Sequence, residues 1–204
     1  MITTGAGLRR VGLFGGAFDP VHNAHLALAR VALEQLQLDQ LRWLPTGQAW
    51  HKSRPLTDAA QRARLVELAI AGEPRFVLDR RELDRHGPSF TLDTVRELQR
   101  ELPGVVWFLI IGRDQYASFH SWHGWQELLG RVTLAVAERP GVTPDVHPDV
   151  LALPHCSVAL PPIDESSTDV RERVAAGAPI DDLVPPAVAR YIEQHHLYRG
   201  TLGS

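Results

Sequence analysis

Val11–Gly12–Leu13–Phe14–Gly15–Gly16–Ala17–Phe18–Asp19–Pro20–Val21–His22–Asn23–Ala24–His25 is the stretch that decides how this chain folds. Its opening run, Val11 to Phe14, is too short for a helix and stops at glycines, so it reads as a buried parallel strand. Gly15–Gly16 lets the backbone turn sharply and leaves room for a ligand beside the main chain. Asp19–Pro20 is a turn signal. Leu26, Leu28, Val31, Leu33 and Leu36 then mark an apolar-rich helix that begins near Asn23 or His25. A strand, a glycine turn and a helix start together form a phosphate site, because free N–H groups and the helix dipole favour an anion there.

His22 and His25 stand at that helix start, at a spacing that places helical side chains on one face. Both imidazoles can donate to phosphate oxygens, and in the charged form they offset developing negative charge. Helix capping, a zinc half-site and coincidence among 10 histidines are the competing readings. Zinc would need a third ligand, and the lone Cys156 offers no recognisable metal spacing. Placed directly after a Gly–Gly strand end, the pair favours the anion.

Composition narrows the class. A chain of 204 residues suffices for one well-buried domain, expected to span 1–204 with loose ends at 1–8 and 200–204. Hydrophobic and charged fractions of 44% and 22% are those of a soluble globular protein. A net charge of −3 gives no basic field for a nucleic-acid duplex. One cysteine excludes an internal disulfide framework and fits a reducing compartment. The glycine-broken run behind Arg9–Arg10 is neither a signal peptide nor a membrane span, so a cytoplasmic protein is expected. Lys52 is the one lysine among 21 Lys and Arg residues. A need for a compact ammonium on a flexible stem and chance survival on a surface loop account for it about equally.

Further along, Leu41–Leu44 before Pro45 reads as the second strand, and Thr46 to Leu56 as a loop carrying His51 and Lys52. Gly47…Lys52–Ser53 is not a P-loop, since no glycine precedes the lysine. Thr57 is the expected N-cap of a helix through Ile70. Phe76–Leu78 is a short strand, and Arg80–Arg85 is expected to be a solvated charge run. Gly87–Pro88–Ser89–Phe90–Thr91 opens another helix, which Ser89 or Thr91 can cap. Val105–Ile111 is the most apolar run and ends in Gly112–Arg113–Asp114, as expected of a central strand with a site at its carboxyl end. Asp114 can accept from a ribose hydroxyl or cap the following turn. Trp125 reads as core packing, whereas Trp122, in a loop, is the better candidate for stacking on a flat ring. Arg131–Ala137 and Ser157–Leu160 are strands, separated by a proline-rich loop over 140–154. Ser166–Ser167–Thr168–Asp169–Val170–Arg171 supplies a helix cap, two spare hydroxyls and an arginine, and so a second anion site.

Gly15–Gly16–Ala17–Phe18–Asp19–Pro20 with His22–Asn23–Ala24–His25 resembles the signature of nucleotidyltransferases that carry a His-x-Gly-His motif, and within them the bacterial nicotinate-nucleotide adenylyltransferase family. Ala17 stands where Ser or Thr is common, Ala24 where Gly is usual and Glu165 where the family's Ile-Ser-Ser-Thr-x-[Ile/Val]-Arg motif has isoleucine. The match runs in order from about residue 9 to about residue 199. It implies that Gly15, Gly16, Ala17, Phe18, His25, Gly112, Asp114, Ser167, Thr168 and Arg171 bind ATP. His51, Lys52, Ser89, Thr91 and Trp122 would bind the acceptor, with His22, His25, Lys52 and Arg171 acting in catalysis. Trp50 takes the proline position of the family's Pro-His-Lys segment.

Alternating strands and helices predict a single-domain, doubly wound α/β sheet of Rossmann-like type, mostly parallel, with helices on both faces. By resemblance, the reaction is adenylyl transfer from ATP to nicotinate mononucleotide, with Mg²⁺ carried by the triphosphate rather than by protein ligands. Transfer to nicotinamide mononucleotide or another phosphorylated acceptor is the alternative, and a non-catalytic nucleotide-binding module is a third. No nucleic acid or membrane partner is expected, and a homodimer is left open.

Overall fold

The computed structural model describes residues 8–47, 55–138, 147–151, 153–159 and 165–199. Strands and helices alternate as β1 (Arg10–Gly16), α1 (Asn23–Gln35), β2 (Gln40–Pro45), α2 (Ala59–Ile70), β3 (Phe76–Leu78), α3 (Arg81–Asp84) and α4 (Thr91–Glu101). They continue as β4 (Val106–Gly112), α5 (Arg113–Ala117), a 3₁₀ turn (Phe119–Ser121), α6 (Trp125–Leu129), β5 (Thr133–Glu138), α7 (Pro148–Leu151), β6 (His155–Ala159), α8 (Ser167–Ala175) and α9 (Pro186–Gln194). The sheet order is β3-β2-β1-β4-β5-β6, and every adjacent pair is parallel. The doubly wound, Rossmann-like architecture expected from the sequence is present.

Strand alternation divides the interior into two cores. Val11, Leu13, Trp107, Leu109, Ile111, Leu134 and Val136 face one side, where α4 supplies Leu92, Val95 and Leu98 and α6 supplies Leu128. Phe14, Leu41, Trp43, Phe108, Ile110, Ala135 and Ala137 face the other, against Leu33 of α1, Leu65 and Val66 of α2, Val170 of α8 and Ile192 of α9. Both faces of the central strands are therefore apolar, which is why they read as continuous hydrophobic runs. Each fully buried Leu or Ile contributes about 1.5–3 kcal/mol. Among the described residues, no helix is long and apolar enough to cross a membrane.

Four local expectations are corrected. Asp58, not Thr57, caps α2, accepting from the N–H groups of Ala60 at 2.9 Å and Gln61 at 3.4 Å. Neither Ser89 nor Thr91 caps α4: Phe90 occupies the cap and no side chain accepts there. Ser89 Oγ instead donates to the Glu82 carbonyl at 3.3 Å. Part of the 140–154 stretch is ordered into α7, whose Val150 is buried and accepts at 2.7 Å from the Tyr116 hydroxyl.

The charge run Arg80–Arg85 is solvated only in part: Arg80 and Asp84 are exposed and pair with each other at 3.3 Å, whereas Arg81, Glu82 and Arg85 are partly or fully buried. Arg81 bonds Asp79 at 2.9 Å and Glu101 at 3.0 Å, and Arg85 bonds Glu97 at 2.8 Å. Glu82 is buried, accepts from Thr94 Oγ1 at 2.9 Å, and has its carboxyl pushed up by that burial. The partners Thr94, Glu97 and Glu101 all sit on α4, and local sequence does not show that α4 meets this run.

Candidate active site

The strand order changes direction between β1 and β4, so their carboxyl ends flank the topological switch point where open α/β sheets bind ligands. Gly15 and Gly16 end β1 there, and Gly112 ends β4 beside them. Beyond β1 the chain passes through Ala17, Phe18 and a cis Asp19–Pro20 bond into α1. Phe18 has φ +47°, the left-handed region that a bulky residue rarely enters. Its ring is buried, with centroids 5.5 Å from Phe14 and 5.1 Å from His25. The Phe18 side chain thus belongs to the core, and only its backbone can serve a nucleotide.

His22 is the N-cap of α1, and its backbone N–H donates to His25 Nδ1 at 3.2 Å. The two rings lie 3.7 Å apart between centroids. Because Nδ1 accepts, a neutral His25 carries its proton on Nε2 and presents an N–H donor from the far side of the ring. Capping and the donor role therefore coexist in one side chain. Asn23 fixes the helix start further, its N–H reaching the Leu183 carbonyl at 2.9 Å and its side chain the Asp182 carbonyl at 2.9 Å.

The second helix start docks on the same turn. Ser166 and Asp169 cap α8 reciprocally, with Ser166 Oγ accepting from the Asp169 N–H at 3.2 Å. Ser166 also holds the Asp169 carboxyl below its usual range. Ser167 Oγ donates to the Pro20 carbonyl at 2.9 Å, and Arg171 donates to the Asp19 carbonyl at 2.8 Å. A second Arg171 nitrogen donates to Thr168 Oγ1 at 2.9 Å. Ser167 is thus not the spare hydroxyl the sequence led us to expect, because it fastens α8 to the histidine turn. Thr168, exposed and accepting from Arg171, keeps its hydroxyl proton for another acceptor. Glu165 lines a cleft with Asp169, Glu172 and Arg173, on the side of α8 that does not carry Thr168 and Arg171.

On the β4 side, the Gly112 N–H is occupied by Gln115 Oε1 at 3.0 Å, while Asp114 is exposed in the first turn of α5. Of the acceptor-side residues, Ser89, Thr91 and Trp122 lie on two segments that meet. Phe90 stacks on His123 with centroids 4.4 Å apart, which brings the Ser89–Thr91 segment against the Trp122–His123 loop. Trp122 is half-buried, its ring 5.2 Å from that of Phe119. With no capping side chain, the Thr91 and Leu92 N–H groups keep no partner within the helix, whereas those of Asp93 and Thr94 donate to the Phe90 carbonyl at 3.0 and 3.2 Å. His51 and Lys52, like Trp50, lie outside the described residues.

Three further residues of this region, to which the sequence reading gave no role in the site, shape it. Asp19 is buried and accepts from the Tyr198 hydroxyl at 2.8 Å and the Thr57 N–H at 3.3 Å. Arg62 is buried beneath the turn and bonds three carbonyls. The signal for it was present: Arg62 occupies the apolar stripe of α2 with Leu65, Val66 and Ala69, a position that solvated arginines avoid. Gly47 packs so closely on the Glu82 backbone that an added Cβ would sit 2.2 Å from its carbonyl oxygen.

Comparison with known proteins agrees with this geometry. The Cytidylyltransferase-like family matches residues 13–173. A Methylibium petroleiphilum protein named "Probable nicotinate-nucleotide adenylyltransferase" is 52% identical over 196 residues, covering 93% of this chain and 92% of its own. One of the same name from Albidiferax ferrireducens is 46% identical, covering 94% and 99%. Among solved structures, Plasmodium falciparum nicotinic acid mononucleotide adenylyltransferase complexed with NaAD shares the fold at TM-score 0.75 and 19% identity, covering 93% of this chain and 97% of its own. The switch-point site thus sits in a chain that belongs to the cytidylyltransferase-like family, within its nicotinate-nucleotide adenylyltransferase branch.

Proposed function

We propose that this protein transfers the adenylyl group of ATP to nicotinate mononucleotide, giving nicotinate adenine dinucleotide and pyrophosphate in NAD biosynthesis. The carrying observation is the junction of two helix starts: Ser167 and Arg171 of α8 hold the Pro20 and Asp19 carbonyls of the turn that leads to His22 and His25. An anion between them meets the positive ends of α1 and α8 together with the donors of His25, Thr168 and Arg171.

A 5′-phosphate oxygen of the mononucleotide forms a bond to the α-phosphorus as the bond to the bridging oxygen of pyrophosphate breaks. No proton need move, so the residues act by position and charge. His25 Nε2–H and the Arg171 guanidinium stabilise negative charge as it shifts toward the leaving group. Gly15, Gly16, Ala17 and Phe18 offer backbone to the nucleotide, and Asp114 a carboxylate to its ribose. His51 and Lys52 take the acceptor phosphate by family analogy alone. Among the described residues, no three His, Cys, Asp or Glu side chains converge to hold a metal. The Mg²⁺ of this reading is one ligated by phosphate oxygens and water, as that small hard ion prefers, and it neutralises triphosphate charge. The single cysteine fits a cytoplasmic setting.

Incubation with ATP and nicotinate mononucleotide should yield the dinucleotide and pyrophosphate in equal amounts. ADP and phosphate as products, or nucleotide binding without turnover, would contradict the reading.

A further inference from the structure

We infer that Arg62 is a positioning residue for adenylyl transfer, bracing the turn between β1 and α1 in the conformation that presents its backbone to the nucleotide. Arg62 lies on α2 and is 1% exposed. Its guanidinium donates through Nε to the Thr57 carbonyl at 2.9 Å, through Nη1 to the Ala17 carbonyl at 2.8 Å and through Nη2 to the Gly47 carbonyl at 3.3 Å. One side chain thus ties α2 to the turn after β1 and to both flanks of the β2–α2 connection. Asp19, also 1% exposed, completes the brace, its Oδ2 accepting from the Thr57 N–H at 3.3 Å. Thr57 is held on both sides, by Asp19 at its N–H and by Arg62 at its carbonyl.

The Ala17 contact is the consequential one. In a trans peptide the carbonyl and the following N–H point in opposite directions. Drawing the Ala17 carbonyl onto Arg62 therefore aims the Phe18 N–H away from the guanidinium. Phe18 carries φ +47°, a conformation that persists in a bulky residue only where its surroundings over-determine it. Arg171 pins the Asp19 carbonyl one residue later, at 2.8 Å. Two arginines on different helices thus hold the carbonyls on either side of Phe18.

The choice of arginine follows from geometry. Three acceptors on three segments match the planar fork of a guanidinium, whereas a lysine nitrogen is a single point and cannot reach them all. Burial pulls the guanidinium pKa down and nearby Asp19 pulls it up, but the group stays protonated. Arg62 spends its donors on backbone and acts on the reaction only through what it holds.

The inference rests on the adenylyl-transfer reading, so its test has two readouts. In Arg62→Ala, kcat per folded molecule should fall by about 10²-fold, the scale of an ångström-sized misplacement, with the KM for ATP moving far less. Methylguanidinium should restore much of the loss by refilling the cavity, and should not improve the wild type. Arg62→Lys, which keeps the charge and most of the volume, should fold and still lose at least tenfold in kcat. The second readout is amide hydrogen exchange over residues 14–20, which should quicken in Arg62→Lys while α9 is unchanged. Unaltered exchange in that segment overturns the brace whether or not the wild type transfers adenylyl groups. So does a kcat for Arg62→Lys within threefold of an active wild type, or no rescue of a folded Arg62→Ala.

Discussion

Nicotinamide mononucleotide is expected to react with a kcat/KM below that of nicotinate mononucleotide by up to roughly 10⁴-fold, the discrimination open to a site that leaves donors unpaired against the wrong analogue. The proposed donors are at the start of α4. Its cap residue is Phe90, which has no accepting side chain, and Ser89 Oγ is committed to the Glu82 carbonyl at 3.3 Å. The N–H groups of Asp93 and Thr94 donate to the Phe90 carbonyl at 3.0 and 3.2 Å, which leaves the Thr91 and Leu92 N–H groups of the first turn for an anion. A carboxylate accepts from both, whereas a carboxamide accepts only through its oxygen and turns an NH₂ toward the remaining donor. Trp122, beside this segment through the Phe90–His123 stack, would hold either ring alike. Water can fill part of the mismatch, which puts the ratio somewhat under the ceiling. Equal kcat/KM values, or a preference for the amide, would overturn the acceptor assignment and leave adenylyl transfer standing.

His22→Ala and His25→Ala should each lower kcat by about 10²–10³-fold while changing ATP affinity much less, because a donor aimed at developing charge matters most in the transition state. His25 also caps α1 by accepting from the His22 N–H at 3.2 Å, so the alanine variant removes two functions together. His25→Gln separates them. Glutamine at the third helical position can return a carbonyl oxygen to the cap N–H, as it does in a capping box. If capping were the whole role, His25→Gln would work like the wild type. Our account expects it to keep the wild-type melting temperature within a few degrees and to lose about as much kcat as His25→Ala.

Much of the fold was legible because it rests on local patterns. Val11–Phe14 and Val105–Ile111 are apolar without alternation, which only strands covered on both faces can be, and Gly15–Gly16 and Gly112 punctuate their carboxyl ends. The two helix starts were legible for the same reason, since histidine spacing and a Ser-Ser-Thr run are visible without tertiary contacts. Their meeting was not. Ser167 and Pro20 are 147 residues apart, and only the folded chain shows that the expected spare hydroxyl is a clamp. The caps at Asp58 and Phe90 each lie one residue from the expected position, because polar neighbours compete for the helix start and geometry decides among them. Arg80–Arg85 misled for a different reason. Charge in sequence looks solvated until the opposite helix supplies Thr94, Glu97 and Glu101 as partners. Arg62 sat in plain sight on an apolar stripe, but its acceptors are backbone carbonyls, and no sequence pattern marks those.

The central claim is a single in-line displacement at the α-phosphorus, guided by position and charge with no covalent adenylyl-enzyme. Its most direct test is the stereochemical course of the reaction with nicotinate mononucleotide and an ATP analogue made chiral by sulfur on the α-phosphate. One displacement predicts a dinucleotide with inverted configuration at that phosphorus, whereas retention would require two displacements through an enzyme-bound intermediate and would contradict the account.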